Sequence, residues 1–310
     1  MSILIDQNTR MIIQGITGRE AMIRAKLMLD YGSRLVGGVT PGKRGQQAHG
    51  LPVFDTVEEA VEQFPDVTLS VIFVPGSIAK DAVFEAIDAG IKLVVVMPER
   101  MPQQDMLEVI AYARENNVFV IGPNTLGLIS PGKALAGMIG ARVDFANQFF
   151  VPGPVGVISR SGGNTTTVCY YLTKAGMGQS TAISIGGDAF VGSTMRDLLP
   201  LFEQDPETKV VVLYGEIGTT IEEDAAELIA EGKFTKPLIA YVAGKYVTQG
   251  MRFGHGGAII SRGQGTAEGK IKALESVGAI CVDHFSDIGN AAKRALNIDR
   301  IKELAEKGVI

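Results

Sequence analysis

The sequence has few of the residues that cross-link a chain, anchor it in a membrane or make it strongly basic. Its two cysteines, Cys169 and Cys281, lie far apart within apolar segments, which indicates reduced, buried thiols rather than a disulfide framework. Apolar runs such as 93–97 and 210–214 have the length of strands and are far too short to span a membrane. The net charge is −5 and basic residues are scattered, which argues against a nucleic-acid-binding protein. With no signal-peptide pattern at its start, the sequence predicts a soluble cytoplasmic protein.

Glycine and apolar residues are abundant instead. The chain has 310 residues, of which 46% are hydrophobic and 20% charged, and it contains 38 glycines. A chain of this length and composition can bury a substantial core, and two domains are a better expectation than one. Because the glycines are spread over many turns and form no repeat, they indicate an α/β protein with tight connections between strands and helices.

Short β-branched runs alternate with amphipathic helices along the whole chain, a pattern typical of parallel βαβ units. The first half begins with a predicted strand at 11–13, and Thr56 with Glu59 forms a capping box that opens a later helix. The second half restarts the alternation with a strand at 155–159 and a helix over 164–175. The sequence therefore predicts two doubly wound α/β domains.

The segment 122–154 separates the two halves. Its prolines and glycines are frequent and its helical periodicity is weak, which makes it the best candidate for a domain boundary. The predicted division is a first domain over 1–130, a connecting segment over 131–154 and a second domain over 155–310.

The turn after the first predicted strand, residues 15–18, has the sequence Gly-Ile-Thr-Gly. Its glycines allow close backbone approach, and the N-terminus of the helix that follows favours an anion such as a phosphate. Lys43, after the second predicted strand, adds a cation near the same sheet edge. The alternatives are an ordinary tight turn and a solvated surface lysine, and the full glycine pattern of a dinucleotide site is missing.

A similar turn opens the second half. Residues 159–164, Ser-Arg-Ser-Gly-Gly-Asn, bring hydroxyl groups, small residues and free backbone N–H groups to a helix start, which predicts an oxyanion or phosphate cradle. A serine nucleophile elbow is the alternative, but its Gly-x-Ser-x-Gly spacing is absent. A third glycine turn, at 185–188, contains Gly187.

His255 is one of only three histidines, and glycines flank it on both sides. These neighbours leave the imidazole accessible, and a neutral imidazole is a competent nucleophile toward phosphorus; a structural loop histidine is the alternative. Glu216 ends a strongly apolar predicted strand, where a carboxylate can hold one ring nitrogen protonated or simply stabilise a helix N-terminus. The histidines and cysteines show no metal-ligand spacing, so no metal site is predicted.

Together these motifs resemble the α subunit of succinyl-CoA synthetase. More broadly, they resemble the nucleoside-triphosphate-dependent acyl-CoA ligases that include malate–CoA ligase, citryl-CoA synthetase and the matching part of ATP-citrate lyase. The resemblance covers nearly the whole chain, and the ordered set of motifs is specific although each motif alone is not. The supporting segments are 1–6, 37–43, 85–93, 121–124, 157–162, 185–188, 215–218 and 254–258.

The resemblance implies a Rossmann-like CoA-binding domain followed by a flavodoxin-like doubly wound ligase domain. It also implies that His255 becomes phosphorylated and that Glu216 is its carboxylate partner. The residues predicted to contact CoA are Thr17, Gly18, Arg19, Glu20, Lys43, Met97, Pro98 and Glu99. The residues predicted to contact the phosphoryl group or the acyl substrate are Ser161, Gly162, Gly163, Asn164, Thr166, Thr167 and Gly187.

In the family, the nucleotide binds with Mg²⁺ to a separate ATP-grasp β subunit, and no ATP-grasp segment fits into these 310 residues. The resemblance therefore implies half of an enzyme, in an αβ or α2β2 assembly that uses ATP or GTP. His255 takes the phosphoryl group, a carboxylate accepts it to form an acyl phosphate, and the CoA thiol displaces phosphate. Neither nucleic acid nor a membrane is an expected partner.

The predicted acyl pocket departs from the succinate pattern. After Ser-Arg-Ser-Gly, succinyl-CoA synthetase carries Thr-Leu-Thr-Tyr-Glu, whereas this chain has Gly-Asn-Thr-Thr-Thr, so Thr166 and Thr167 replace tyrosine and glutamate. The loss of a carboxylate and the gain of hydroxyl groups favour a more polar or more strongly anionic acid. Succinate stays the default substrate, with malate, citrate and a sulfonate-bearing acid as the other candidates.

Two other functions are compatible with this architecture. A non-catalytic CoA-binding or acyl-CoA-sensing protein needs neither His255 nor Glu216, so the presence of both argues against it. An NAD-dependent dehydrogenase needs the complete dinucleotide fingerprint and an acidic ribose ligand, and neither is evident.

Overall fold

The computed structural model describes residues 2–247, 254–260 and 265–306. They form two seven-stranded sheets with helices packed against them. The strands are β1 (Arg10–Gln14), β2 (Arg34–Val39), β3 (Gln47–Ala48), β4 (Leu51–Phe54), β5 (Val67–Ile72), β6 (Leu93–Val96), β7 (Phe119–Ile121), β8 (Gly127–Ser130), β9 (Ala134–Gly137), β10 (Pro152–Ser159), β11 (Gln179–Ser184), β12 (Val210–Glu216), β13 (Leu238–Ala243) and β14 (Ile280–Cys281). The helices are α1 (Arg19–Tyr31), α2 (Val57–Gln63), α3 (Ala79–Asp88), α4 (Gln103–Glu115), α5 (Val143–Phe149), α6 (Gly162–Lys174), α7 (Met195–Gln204), α8 (Ile221–Ala230), α9 (Ala267–Ser276) and α10 (Phe285–Glu306).

The first sheet has the strand order of a Rossmann fold. Its order is β3-β4-β2-β1-β5-β6-β7, and every neighbouring pair is parallel except the β3–β4 hairpin. Without the short strand β3, this is the 3-2-1-4-5-6 order of doubly wound dinucleotide-binding sheets. The order reverses between β1 and β5, and ligands bind such sheets beyond the carboxyl ends of the strands at that point. The turn 15–18 lies there.

The second sheet has the flavodoxin-like order. Its strands run β14-β13-β12-β10-β11-β8-β9, and the five strands from β14 to β11 are parallel neighbours in the 2-1-3-4-5 arrangement. Here the order reverses between β10 and β12, whose last residues are Ser159 and Glu216. The predicted fold class, a Rossmann-like domain followed by a flavodoxin-like one, is confirmed.

The segment 122–154 contains more regular structure than its composition indicates. Strands β8 and β9 are an antiparallel pair that extends the second sheet from β11, and helix α5 follows them. The predicted first domain, 1–130, therefore includes β8, a strand of the second sheet, while the predicted connecting segment, 131–154, includes β9 and α5. The division into domains stays a prediction.

The two sheets share a hydrophobic core. One continuous cluster of buried side chains includes Met11 on β1 and Val157 on β10. A buried polar contact reinforces it, because the hydroxyl of Ser33 donates a hydrogen bond of 2.7 Å to the carbonyl of Leu135 on β9. Loops from the two sheets are thus held in fixed positions relative to one another.

Of the two cysteines expected to be buried, Cys169 is buried and Cys281 is half-buried. Cys169 and Cys281 are free. Burial raises the pKa of the Cys169 thiol well above its ordinary value and raises the pKa of the Cys281 thiol to about 11, which keeps both thiols protonated and unreactive. None of the helices that the structure describes combines enough length with enough apolar character to cross a membrane. Within the same residues, no cluster of three or more potential metal ligands is present.

Candidate active site

Loops from neighbouring strands of the second sheet meet around one histidine. Arg160 follows β10, Gly187 and Asp188 follow β11, and Glu216 is the last residue of β12. Because these strands are parallel neighbours, their carboxyl ends lie at the same edge of the sheet. His255, in the described segment 254–260, packs onto this edge.

His255 forms a hydrogen-bonded pair with Glu216. Its Nδ1 lies 2.7 Å from Glu216 Oε2, and the side chains are 31% and 8% exposed, respectively. This hydrogen bond raises the pKa of His255 above its ordinary value of 6.5, against the opposing effect of burial. In the neutral ring, a carboxylate on Nδ1 holds the proton there and leaves the Nε2 lone pair free. Nε2 has no hydrogen-bond partner among the described residues.

Arg160 lies on the other side of the same carboxylate. Its guanidinium is completely buried, and Nη2 is 3.4 Å from Glu216 Oε1. Nη2 also donates a hydrogen bond of 2.9 Å to the carbonyl of Asp188. Glu216 is therefore placed between a buried cation and the imidazole.

Two glycines leave room for these side chains. A Cβ at Gly187 would lie 2.3 Å from Cγ of His255, and a Cβ at Gly257 would lie 2.7 Å from Arg160 Nη2. Neither glycine has a positive φ, so the requirement for glycine is steric rather than conformational. The N–H of Gly257 donates a 3.1 Å hydrogen bond to the Gly187 carbonyl, which ties the histidine loop to the turn after β11.

A second group of buried charges supports the loop after β12. Lys270, fully buried on α9, forms an ion pair with Glu222 and lies 2.8 Å from Glu223 Oε2. It also donates a 3.1 Å hydrogen bond to the carbonyl of Thr219. Glu222 in turn accepts a 3.0 Å hydrogen bond from the backbone N–H of Glu216. The backbone that carries Glu216 is thus fixed by α8 and α9.

A cavity of about 550 Å³ lies beside His255, a size typical of small-molecule sites. The second half of the chain lines it with Asp188 and Phe190, the first half with Glu99, and the segment between the halves with Asn124. Asn124 Nδ2 donates a 2.9 Å hydrogen bond to Asp188 Oδ1, which ties this segment to the turn after β11. The histidine therefore faces a space bounded by both sheets.

The predicted phosphate cradle lies at the N-terminus of α6. The hydroxyl of Ser161 caps this helix, accepting hydrogen bonds from the Asn164 N–H at 3.5 Å and from Asn164 Nδ2 at 3.1 Å. Within the described residues, the N–H groups of Gly162 and Gly163 have no hydrogen-bond partner, as expected in a first helical turn. These groups can donate hydrogen bonds to a bound anion.

Packing alone accounts for the requirement for glycine at one of these two positions. A Cβ at Gly162 would lie 2.3 Å from Leu126 Cγ, whereas a Cβ at Gly163 would meet nothing within 4 Å. Thr166 and Thr167 are half-buried on α6, and Thr167 Oγ1 donates a 3.4 Å hydrogen bond to the carbonyl of Gly163. Neither threonine lines the cavity beside His255. Their contact with an acyl substrate stays a prediction.

The predicted CoA residues of the first half gather at the turn 15–18. Gly18 directly precedes α1, and Thr17 Oγ1 donates a 3.2 Å hydrogen bond to Thr40 Oγ1. Arg19 and Lys43 are exposed, and neither side chain forms an ion pair with another described residue. Two unpaired cations therefore flank a helix N-terminus at the switch point of the first sheet.

The remaining predicted CoA residues are less uniform. Glu20 forms an ion pair of 2.6 Å with Arg24 one helical turn later, so its carboxylate is already engaged. Met97 is buried, Pro98 is half-buried and Glu99 is exposed at the cavity beside His255. Among residues 97–99, Glu99 is therefore the best placed to contact a bound ligand.

Sequence reasoning missed three residues of this arrangement. Arg160 and Asp188 both lie in turns after parallel strands, and that position is the signal that could have identified them. Asn124 ends the segment 121–124, one of those that carry the resemblance, but sequence analysis assigned its side chain no role.

Both halves of the chain match known protein families. Residues 6–100 match the CoA binding domain family, and residues 158–280 match the CoA-ligase family. Over 296 residues the chain is 47% identical to subunit alpha 1 of the ADP-forming succinate–CoA ligase of Archaeoglobus fulgidus, which covers 96% of this chain and 99% of that protein. The chain belongs to the succinate–CoA ligase α-subunit family. It is therefore a subunit of a carboxylate–CoA ligase, which decides against the dehydrogenase alternative.

Two other relatives of this family member differ in the acid that they are named for. This chain is 43% identical over 289 residues to a subunit of an ADP-forming sulfoacetate-CoA ligase from Acholeplasma sp.. The alignment covers 93% of this chain and 96% of that subunit. The fold of this chain matches that of ATP citrate lyase from Methanothrix soehngenii, solved in complex with citrate and coenzyme A, with a TM-score of 0.88 and 26% identity. That match covers 99% of this chain but 52% of the lyase chain.

Proposed function

We propose that this chain is the α subunit of an NDP-forming carboxylate–CoA ligase that works through a phosphohistidine at His255. The observation that carries the proposal is the 2.7 Å contact between His255 Nδ1 and Glu216 Oε2. With the proton held on Nδ1, the Nε2 lone pair is the nucleophile. The carboxylate also stabilises the positive charge that the ring acquires when Nε2 bonds to phosphorus.

The reaction consists of three displacements. Nε2 of His255 attacks the γ-phosphorus of ATP or GTP, and the bond to the bridging oxygen breaks to release the nucleoside diphosphate. A carboxylate oxygen of the acid then attacks the same phosphorus, and the phosphorus–nitrogen bond breaks to give an acyl phosphate. The CoA sulfur finally attacks the acyl carbon, phosphate leaves with the bonding electrons, and the thiol proton passes to it.

The groups that would hold the phosphoryl oxygens lie at the start of α6. The N–H groups of Gly162 and Gly163, which have no hydrogen-bond partner among the described residues, supply fixed donors at the positive end of a helix dipole. Such preorganised donors stabilise developing charge without reorganising during the reaction. Gly187 contributes by leaving the space that the imidazole occupies.

CoA would extend from the first sheet toward the histidine. Arg19 and Lys43, the exposed cations beside the turn 15–18, suit its phosphate groups. Glu99, which follows β6, lines the same cavity as His255. This shared cavity supports delivery of the thiol end of CoA to the acyl phosphate.

The acid is proposed to be a short di- or polyanionic carboxylic acid, with succinate as the default. The relatives named for succinate and for sulfoacetate both handle acids with a second anionic group. Thr166 and Thr167 offer hydroxyl groups where the succinate pattern has tyrosine and glutamate, which favours malate, citrate or a sulfonate-bearing acid over succinate.

The nucleotide, with Mg²⁺, is assigned to a separate ATP-grasp β subunit in an αβ or α2β2 assembly. The relatives named as α subunits support a β subunit as the partner. The cytoplasm is the expected compartment, because both cysteines are free thiols.

The test is phosphorylation of this chain in complex with its β subunit, with γ-labelled ATP or GTP and Mg²⁺. We expect an acid-labile, base-stable label that His255→Asn abolishes and His284→Asn, the matched control, retains. Discharge of the label by CoA with each acid of a panel then ranks the acids by kcat/KM. Succinate as the best acid would refute the altered pocket.

The alternative function makes the opposite prediction. A CoA-binding or acyl-CoA-sensing protein would bind CoA in a titration of the same complex but take up no label from either nucleotide. That combination, on an assembled complex, would overturn the phosphohistidine mechanism.

A further inference from the structure

We propose that Arg160 is a positioning residue that orients the Glu216 carboxylate toward His255 and thereby selects the histidine tautomer. Its effect on phosphoryl transfer rests on the proposed function, but its effect on the tautomer does not. The Arg160 side chain is 0% exposed, so from its place beneath the histidine loop it acts through other residues rather than on a bound substrate.

Arg160 connects the turns that follow three neighbouring strands. It directly follows β10, its Nη2 donates to the carbonyl of Asp188 in the turn after β11 at 2.9 Å, and the same atom lies 3.4 Å from Glu216 Oε1 at the end of β12. Its side chain is 0% exposed, and no larger side chain is fully buried among the described residues. A single guanidinium therefore fixes the relative position of these turns.

The histidine loop closes over this guanidinium. A Cβ at Gly257 would lie 2.7 Å from Arg160 Nη2, so the loop backbone and the guanidinium are in close contact. The N–H of Arg160 donates a 3.0 Å hydrogen bond to the carbonyl of Tyr214 on β12, which fixes its backbone as well. The side chain has little room to move away from Glu216.

Glu216 needs a partner on its second oxygen. Oε2 contacts His255, while Oε1 makes no hydrogen bond with the described residues and has the Arg160 cation as its neighbour. A buried carboxylate without a cation is costly. The cation at Oε1 favours the carboxylate orientation in which Oε2 faces Nδ1.

The charge of Arg160 also favours the neutral imidazole. Glu216 and Asp188 raise the pKa of His255, whereas Arg160 lowers it. Arg160 thus opposes protonation of Nε2 while it helps Glu216 to hold the proton on Nδ1. Both effects increase the fraction of the ring that is neutral and nucleophilic at Nε2.

A purely structural role for Arg160 fits the contacts less well. A guanidinium has five N–H donors, yet Nε and Nη1 of Arg160 have no hydrogen-bond partner among the described residues. The formed contacts are concentrated at Nη2, the atom that faces Glu216 and Asp188. This distribution places the cation where it affects the carboxylate.

The test compares Arg160→Met with the unaltered chain, in complex with the β subunit. Nitrogen-15 NMR of labelled histidine, assigned with His255→Asn, reports the tautomer of His255 without any nucleotide. We expect Nδ1–H in the unaltered chain and a mixture with Nε2–H in Arg160→Met, with phosphorylation slower by about tenfold or more. Gln179→Met removes another buried polar side chain of the same half and should change neither readout.

A double-mutant cycle separates positioning from general destabilisation. If Arg160 acts through Glu216, Arg160→Met should slow phosphorylation by less than about twofold when Glu216→Gln is already present. The double variant lacks both charges and so leaves no buried charge unpaired. If Arg160→Met alone does not fold, the double variant is compared with Glu216→Gln, and slowing by more than about twofold would overturn the proposal. Equal slowing in both backgrounds would overturn the proposal.

The tautomer measurement distinguishes the two proposals. An unchanged tautomer in folded Arg160→Met would overturn the role of Arg160 even if His255 is phosphorylated normally. Conversely, an altered tautomer in a protein whose unaltered form takes up no label would support the role of Arg160 and overturn the phosphohistidine mechanism.

Discussion

Replacing Gly187 with alanine is expected to disrupt the contact between His255 and Glu216 while leaving both side chains chemically intact. Gly187 has no positive φ, so its backbone accepts alanine without strain. The added Cβ would lie 2.3 Å from His255 Cγ, whereas carbon atoms in contact are about 3.5 Å apart. The imidazole therefore has to move by about 1 Å.

The size of the effect follows from this displacement. The hydrogen bond from His255 Nδ1 to Glu216 Oε2 measures 2.7 Å, and lengthening it by about 1 Å takes it beyond hydrogen-bonding distance. Misplacement of a reacting group by about 1 Å costs about a hundredfold in rate, equivalent to about 3 kcal/mol of activation free energy. We expect this loss in the phosphorylation step.

The assay is single-turnover phosphorylation in the complex, with thermal unfolding measured alongside. Gly156→Ala is the matched control, because its Cβ would lie 2.6 Å from the ring of Phe202, a clash of similar size in the same half but away from the histidine. Gly156→Ala should lower the melting temperature yet keep the phosphorylation rate within about threefold. Gly187→Ala should lower the rate far more than stability alone explains.

Normal phosphorylation by folded Gly187→Ala would refute this reasoning. It would mean that the turn after β11 moves to absorb the methyl group while His255 keeps its place. The steric requirement at Gly187 would then have no bearing on the reaction.

Three further predictions concern charged groups. Because Glu216 raises the pKa of His255 above 6.5 and the protonated ring cannot attack, phosphorylation should decline as the pH falls through that raised value, and Glu216→Gln should move the decline to lower pH in a rate profile. Lys270→Met should reduce the free energy of unfolding in urea by about 3–5 kcal/mol, because it leaves the buried carboxylate of Glu222 without its cation. Lys43→Ala should weaken CoA binding about tenfold in calorimetry through loss of a charged phosphate contact.

Each of these predictions has a contrary outcome. An acidic decline at the same pH in Glu216→Gln would mean that another group controls it. A loss below about 1 kcal/mol in Lys270→Met would show that Glu222 finds other compensation. Lys92→Ala is the surface control for CoA binding, and an equal affinity of the Lys43 and Lys92 variants would remove Lys43 from the CoA site.

The alternation of strands and helices could be predicted because its signals are local. Thr56 and Glu59 illustrate this: Thr56 Oγ1 accepts a 3.2 Å hydrogen bond from the Glu59 N–H, as a capping box requires. The reciprocal bond differs, since Glu59 Oε2 accepts from the N–H of Asp55 instead of Thr56. Strand order is not local, because β1 pairs with β5 across several intervening elements, and only the resemblance indicated it.

The antiparallel pair β8–β9 was missed for a related reason. Each strand has four residues, and small residues and glycines make up much of both. Such segments have weak strand propensity, and their place is determined by the exposed edge of β11 against which β8 pairs. Neither length nor composition reveals that edge.

The candidate site was predictable only where a residue stood out from its neighbours. His255 stood out by its glycines and Glu216 by its apolar strand, and the structure brings their side chains together across 39 positions of sequence. Arg160 did not stand out, because an arginine is usually exposed. Its burial arises from turns after β10, β11 and β12 that meet only in the folded chain.

The shared core has a consequence for cooperativity. The pair β8–β9 belongs to the second sheet by hydrogen bonding, yet β9 packs against α1, and the hydroxyl of Ser130 donates a 2.9 Å hydrogen bond to the carbonyl of Ile5. A fragment that ends at residue 121 would expose the apolar side of α1, and one that ends at residue 130 would keep β8 without its partner strands. Neither cut yields two self-sufficient pieces, so heat should melt this two-sheet protein in one calorimetric transition.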